Sequence, residues 1–163
     1  MARVLVIEDE ELVRISMAAV LRRAGHRVTT AVDGEDGLVR FRPGAFDLVI
    51  TDIVMPRKEG IETLLALRRL EPMLRIIAMS GSGGPDQGFY LKAAIALGAD
   101  ATLQKPFSAA ELRLIVEEAL AIPQAETVAL WYRQMPDWLS PLNEPAVRSD
   151  PPRTRQGLRA RNN

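Results

Sequence analysis

Short runs rich in β-branched and aliphatic residues alternate along this chain with longer stretches whose apolar positions recur about every 3.6 residues. The runs RVLVI (3–7), RVTTA (27–31), DLVIT (47–51), LRIIAM (74–79) and ATLQ (101–104) predict five strands. ELVRISMAAVLRRAG (11–25) predicts a helix with Leu12, Ile15 and Ala19 on its apolar stripe and Gly25 as the C′ residue. DGEDGLVRFR (33–42) predicts a short helix capped by Asp33 and ended by Pro43-Gly44. Helices are also predicted over 61–70, stopped before Pro72, over 86–98, ending at Gly98, and over 108–120, where Ser108 and Glu111 stand at capping-box spacing. Strands that alternate with helices imply a parallel sheet covered by helices on both faces. The near-continuous apolar runs of the strands agree, because such strands are buried on both sides.

The pattern changes after Ile122. Residues 123–163 hold six of the eleven prolines (123, 136, 141, 145, 151 and 152) and both tryptophans, Trp131 and Trp138. Beyond a short helical stretch at 126–135 no period persists, which predicts an extended, largely disordered and mildly basic end with no output domain. The chain thus divides into a folded unit over 1–122 and a tail over 123–163. The 21 basic and 21 acidic residues cancel, so the molecule has no overall electrostatic bias toward nucleic acid or an anionic membrane. The five arginines of 148–161, without aromatic interleaving, read as a solvated tail. The absence of cysteine excludes disulfides, thiolate metal sites and a cysteine nucleophile. No apolar run approaches the roughly 20 residues of a membrane span, and acidic residues follow the first strand too soon for a signal peptide. These features predict a cytoplasmic protein.

The chemistry collects at strand ends. Glu8 and Asp9 follow the first strand, Asp52 the third, Ser80 the fourth and Lys105-Pro106 the fifth. In a parallel sheet these carboxyl ends share one rim, where ligands bind. Three carboxylates together repel one another unless a cation intervenes. An all-oxygen set with the only histidine, His26, placed at the opposite end favours Mg²⁺ over zinc or copper. A free carboxylate, a hydroxyl and a lysine around such a cation suit phosphoryl transfer: Asp52 attacks phosphorus while Ser80 and Lys105 hold its equatorial oxygens. Taken singly, each carboxylate reads as a helix cap or a solvated strand end, and Ser80 as the start of a turn.

Four stretches in order resemble the receiver domain of two-component response regulators, from Arg3 to about Ile122. They are VLVIEDEE for the acidic pair, DLVITDIVMPRKEG with D-x-x-M-P-x-x-x-G spacing from Asp52 to Gly60, IIAMSG for the hydroxyl strand, and GADATLQKPF for the lysine–proline motif. The resemblance implies a flavodoxin-like, doubly wound α/β fold with strand order 2-1-3-4-5. It implies that Asp52 accepts a phosphoryl group from a histidine kinase or histidine phosphotransfer protein. It also implies that Mg²⁺ is bound by Asp9, Asp52 and the Val54 carbonyl, with Glu8 acting through water, and that the Lys105–Pro106 peptide is cis. The implied output is contact with a downstream protein or a phosphorelay, with movement of Ser80 reshaping the face formed by the fourth helix, fifth strand and fifth helix, through which a homodimer is also open. The family's role is signalling rather than enzymatic, and no membrane or nucleic-acid partner is expected.

Two departures stand out. Thr102 occupies the position where the family commonly has Tyr or Phe, so an aromatic rotamer switch is not carried over. The stretch SGSGGPDQGFY (80–90) is longer and richer in glycine than usual, and its movement is expected to carry part of the output; Val54 and Ser82 flank the site and are expected to tune the lifetime of the phosphoryl group. Two other readings compete. A haloacid-dehalogenase-like phosphatase would use the same nucleophile, but it would want an acid where Val54 stands. A receiver-like scaffold that is never phosphorylated would not need the full acidic and lysine set.

Overall fold

The computed structural model describes residues 1–55, 60–81 and 87–123. The expected helix at 126–135, both tryptophans, the 148–161 arginines, Pro56 and Ser82 lie outside the described residues, as does the rest of 82–86 in the glycine-rich stretch. Five strands, β1 (Arg3–Ile7), β2 (Arg27–Ala31), β3 (Leu48–Asp52), β4 (Arg75–Ser80) and β5 (Ala101–Gln104), form one parallel sheet in the order β2-β1-β3-β4-β5. Helices α1 (Glu11–Arg23), α2 (Gly34–Arg40), α3 (Gly60–Leu70), α4 (Gln87–Ala96) and α5 (Ala109–Ala121) connect and follow the strands. The sheet order and alternation agree with the flavodoxin-like expectation.

Side-chain alternation along the strands builds two cores. Leu5, Ile7, Val49, Ile76 and Ala78 face one side and pack with Leu64 and Leu67 of α3 and Ala94 of α4. Val4, Val6, Leu48, Ile50, Ile77 and Met79 face the other and pack with Met17 and Leu21 of α1 and Leu112 and Val116 of α5. Each large apolar side chain taken out of water in this way stabilises the fold by about 1.5–3 kcal/mol relative to leaving it exposed.

The period predicted for α1 is observed but its phase is not. Leu12 and Ile15 are exposed, at 78% and 56%, and Ala19 is exposed as well. The face on the sheet is Val13, Met17 and Val20–Leu21, which has the same 3.6-residue recurrence rotated by one to two positions. Two apolar stripes therefore run along one helix, and periodicity has no means of choosing between them. The helix ends as expected: Gly25 has φ 89°, its N–H donates to the Arg22 carbonyl, and the His26 N–H donates to the Leu21 carbonyl. This pair of bonds with a left-handed C′ residue is a Schellman ending, which a side chain at position 25 would strain. The capping box of α5 is present, with the Ser108 hydroxyl accepting from the Glu111 N–H and the Glu111 carboxylate accepting from the Ser108 N–H.

Strand β3 begins and ends one residue later than predicted. Asp47 precedes it and accepts from the Arg3 N–H and guanidinium, at 2.7 Å to each carboxylate oxygen, so its charge is paired at the amino edge of the sheet. Asp52 becomes the last strand residue and is carried to the opposite rim.

A fully buried arginine, unanticipated from the pattern, ties the lower ends of α3 and α4 to the sheet. Arg68 donates to the carbonyls of Pro72, Leu74 and Gly98 and to the Asp100 carboxylate. Asp100 in turn accepts from the Ile76 N–H at 2.7 Å. A charge with no exposure survives here because it is both paired and hydrogen-bonded.

Candidate functional site

The parallel register sets the rim. Asp52 stands beside Met79, and Ser80 beside Gln104, which places Lys105 one residue past β5 at the same level. The Lys105 N–H donates to the Ser80 carbonyl at 2.9 Å, and the Lys105–Pro106 peptide is cis. Glu8 follows β1 directly, and its N–H donates to the Ala31 carbonyl of the neighbouring strand. The sheet alone therefore brings Glu8, Asp9, Asp52, Ser80 and Lys105 to one edge.

Glu8 is fully buried, Asp52 and Ser80 are nearly so, and Asp9 is exposed. The Lys105 ammonium stands 2.5 Å from Asp52 Oδ2 and 2.6 Å from Glu8 Oε2. The contact to Asp52 has hydrogen-bond geometry. The contact to Glu8 is a close ion pair that keeps its buried Oε2 from standing uncompensated. Asp52 Oδ1 accepts from the Val54 N–H at 2.9 Å, and Glu8 Oε1 accepts from the Glu10 N–H at 3.3 Å.

Burial pushes the Glu8 carboxyl above its usual range; the Lys105 ammonium opposes that shift, and the Asp52 charge adds to it. Burial also pulls the Lys105 ammonium down, but its close contacts with the Asp52 and Glu8 carboxylates and their charges outweigh it, and its pKa is raised. One ammonium thus serves two buried carboxylates. Each of Glu8, Asp9 and Asp52 offers an oxygen within 4.8 Å of the others. A hard divalent cation fits that all-oxygen set.

Gly60 explains the end of the motif that begins at Asp52. Its N–H donates to the Ile53 carbonyl, and a Cβ there would lie 1.9 Å from the Asp52 carbonyl oxygen and 2.4 Å from Ile53 Cα. The first turn of α3 rests directly on the backbone of Asp52 and Ile53, which only glycine permits.

Comparison with known proteins agrees with this geometry. A family model described as "Response regulator receiver domain" matches residues 4–117. The chain belongs to the response regulator receiver family. Over 118 residues it is 33% identical to the alkaline phosphatase synthesis transcriptional regulatory protein PhoP of Bacillus subtilis, a match covering 72% of this chain and 48% of PhoP. Among solved structures it is similar to a response regulator receiver domain protein from Clostridium thermocellum, with TM-score 0.67, 30% identity and coverage of 74% of this chain and 94% of that one. It is likewise similar to the receiver domain of NtrX from Brucella abortus, with TM-score 0.66, 32% identity and coverage of 74% and 99%. The chain spans about half or less of the length of the first curated relatives it matches. Receiver domains are signalling domains of two-component systems, and phosphorylation and Mg²⁺ binding are typical of them. No helix among the described residues is long and apolar enough to cross a membrane.

Thr102 sits in β5 opposite Ala78, so the rim has no aromatic side chain at that position. His26 lies at the other end of the sheet, as expected, where its Nδ1 accepts from the Ala2 N–H at 3.3 Å. Val54 is 56% exposed at the mouth of the site. One neighbour of the acidic pair escaped the sequence reading: Arg14, whose Nη1 donates to the carbonyls of Glu8 and Asp9 at 2.8 and 3.1 Å.

Proposed function

We propose that Asp52 accepts a phosphoryl group from a histidine kinase or phosphotransfer protein in a Mg²⁺-dependent reaction, and that the phosphorylated chain signals by protein contact or relay. The observation that carries this reading is the Lys105 ammonium lying between two buried carboxylates beside an exposed third. An Asp52 oxygen bonds to phosphorus as the donor's nitrogen–phosphorus bond breaks. Lys105 leaves Asp52 Oδ2 for a phosphoryl oxygen, and Ser80 donates to another. Glu8, Asp9, Asp52 and the Val54 carbonyl would hold Mg²⁺, which when bound offsets the negative charge gathered on the transferring group. The same site assists its own hydrolysis, and Val54 and Ser82 tune the lifetime of the phosphoryl group.

The new near-dianion shifts an existing equilibrium through its different contacts in the two states. The exposed aromatic pair Phe89 and Tyr90 on α4, with Ile95 on the same helix, gives a downstream protein or a second copy an apolar face. In this reading the output is carried by contacts of the folded unit, in the cytoplasm.

Intact mass after incubation with Mg²⁺ and a small-molecule phosphodonor tests the proposal. One phosphoryl group, lost in Asp52→Asn and in chelator, is the expected result. Donor turnover without an adduct favours the phosphatase-like reading; neither adduct nor turnover leaves an unphosphorylated scaffold.

A further inference from the structure

Arg14 breaks a local rule. It lies one turn into α1, and its guanidinium reaches back past the helix start, where the macrodipole disfavours a cation by about 0.3–1 kcal/mol. Its partners are not carboxylates but two backbone carbonyls, those of Glu8 and Asp9. These carbonyls belong to the two peptide planes that flank the Asp9 Cα. Rotation of one plane about that carbon is φ of Asp9, and rotation of the other is ψ. A rigid guanidinium bonded to both planes therefore holds the backbone of Asp9, and with it the direction of its Cβ.

Asp9 needs such a clamp. It is exposed, and its carboxylate has no hydrogen bond or ion pair among the described residues. Glu8 and Asp52 are held by Lys105 and by the N–H groups of Glu10 and Val54. Glu10 occupies the N-cap position of α1 without a side-chain cap bond, so the helix start does not restrain the loop by that route.

We infer that Arg14 is a positioning residue for the divalent cation: it aims the Asp9 carboxylate into the acidic site through the backbone. The inference rests on the Mg²⁺ site proposed above. Charge and geometry act in opposite directions here, which makes it testable by sign. Arg14 is a cation beside a cation site, so its removal on Coulombic grounds alone tightens Mg²⁺ binding. Loss of positioning weakens it.

The experiment is calorimetric titration of the full chain with Mg²⁺, for the native protein, Arg14→Ala, Arg14→Gln and Arg14→Lys, with far-ultraviolet circular dichroism to establish that each is folded. The expected result is a Kd raised about tenfold or more in the Ala and Gln variants, as when a second-sphere partner of a metal ligand is lost. Only part of that loss should be recovered in the Lys variant, whose single ammonium spans two carbonyls poorly. Amide exchange over residues 8–11 should quicken in parallel in the metal-free protein. A Kd at or below the native value in Arg14→Ala overturns the inference. Should that variant not fold, Arg14→Lys decides: affinity equal to native and unchanged exchange overturn it. A native chain that binds no Mg²⁺ defeats the site itself, a different failure from a native chain that binds and a variant that binds equally well.

Discussion

The Lys105 ammonium and the Asp52 carboxylate form a 2.5 Å hydrogen bond at the end of two strands that are not neighbours, with β4 lying between them. The same ammonium also contacts Glu8, so it and a cation bound by these carboxylates would compete for the same oxygens. Lys105→Met therefore separates two roles. Without Mg²⁺ the variant should lose stability on the order of 2 kcal/mol, the scale of a lost charged hydrogen bond. With saturating Mg²⁺ most of that loss should be recovered, and Mg²⁺ should bind more tightly because a competing cation is gone. Denaturant curves with and without the metal check this; equal losses in both would show that Lys105 and the cation do not share the site.

Glu8 gives the metal-free protein a defined pH response. Its carboxyl is raised by burial, so the folded state binds its proton more readily than the unfolded chain does. Stability from this group is greatest at low pH and declines as pH rises from the unfolded value through the folded one. Glu8→Gln, which resembles the protonated form, should then raise the melting temperature of the metal-free protein at neutral pH while weakening Mg²⁺ binding. Lys105 adds the alkaline limb: its raised pKa means that its contribution is present below about 10.5, the usual lysine value, and fades above it. A melting temperature unaffected by Glu8→Gln in chelator would refute the assignment.

Gly60→Ala should damage both fold and site. The added methyl would meet backbone atoms of Asp52 and Ile53, which have no rotamer by which to move aside. A loss of about 1–3 kcal/mol or more is expected from forced overpacking, together with slower phosphoryl uptake, in the proposed reaction, because the backbone of Asp52 must shift. Urea unfolding and intact mass on the same sample read the two effects.

The buried Arg68–Asp100 pair should show the asymmetry of interior charges. Asp100→Ala leaves a fully buried guanidinium with carbonyl partners only, and a cost of about 3–5 kcal/mol is expected. A double-mutant cycle with Arg68→Met measures the coupling. A single-variant loss below about 0.5 kcal/mol, the range of ordinary surface changes, would mean that the pair is not the constraint its geometry suggests.

The strands and the five rim residues were legible because each rests on a local feature of the chain, an apolar run or a polar residue at a strand end; the sheet order followed from the receiver resemblance, since the crossover rule alone leaves several topologies. The face of α1 was not. Leu12-Ile15-Ala19 and Val13-Met17-Leu21 have equal claims by period, and the choice depends on how the helix lies on β1 and β2. Arg68 reads as one of a surface pair, Arg68-Arg69, until tertiary packing puts Asp100 and three carbonyls around it. Arg14 left a faint signal, a cation near a helix start, and Gly60 a stronger one, a glycine at fixed spacing from Asp52. What each contacts became apparent only in three dimensions.

The sheet also acts as a partition. A strand residue contributes its side chain to one helical layer or the other, and the two apolar clusters have no member in common. Changes far apart on opposite sides of such a wall are expected to add rather than compound. The layer of α1 and α5 and the layer of α2, α3 and α4 can therefore be altered in succession, one drifting toward a new binding partner while the other keeps its fit. Inheritance and laboratory selection alike can treat this small domain as two independently editable surfaces joined by one shared reactive edge.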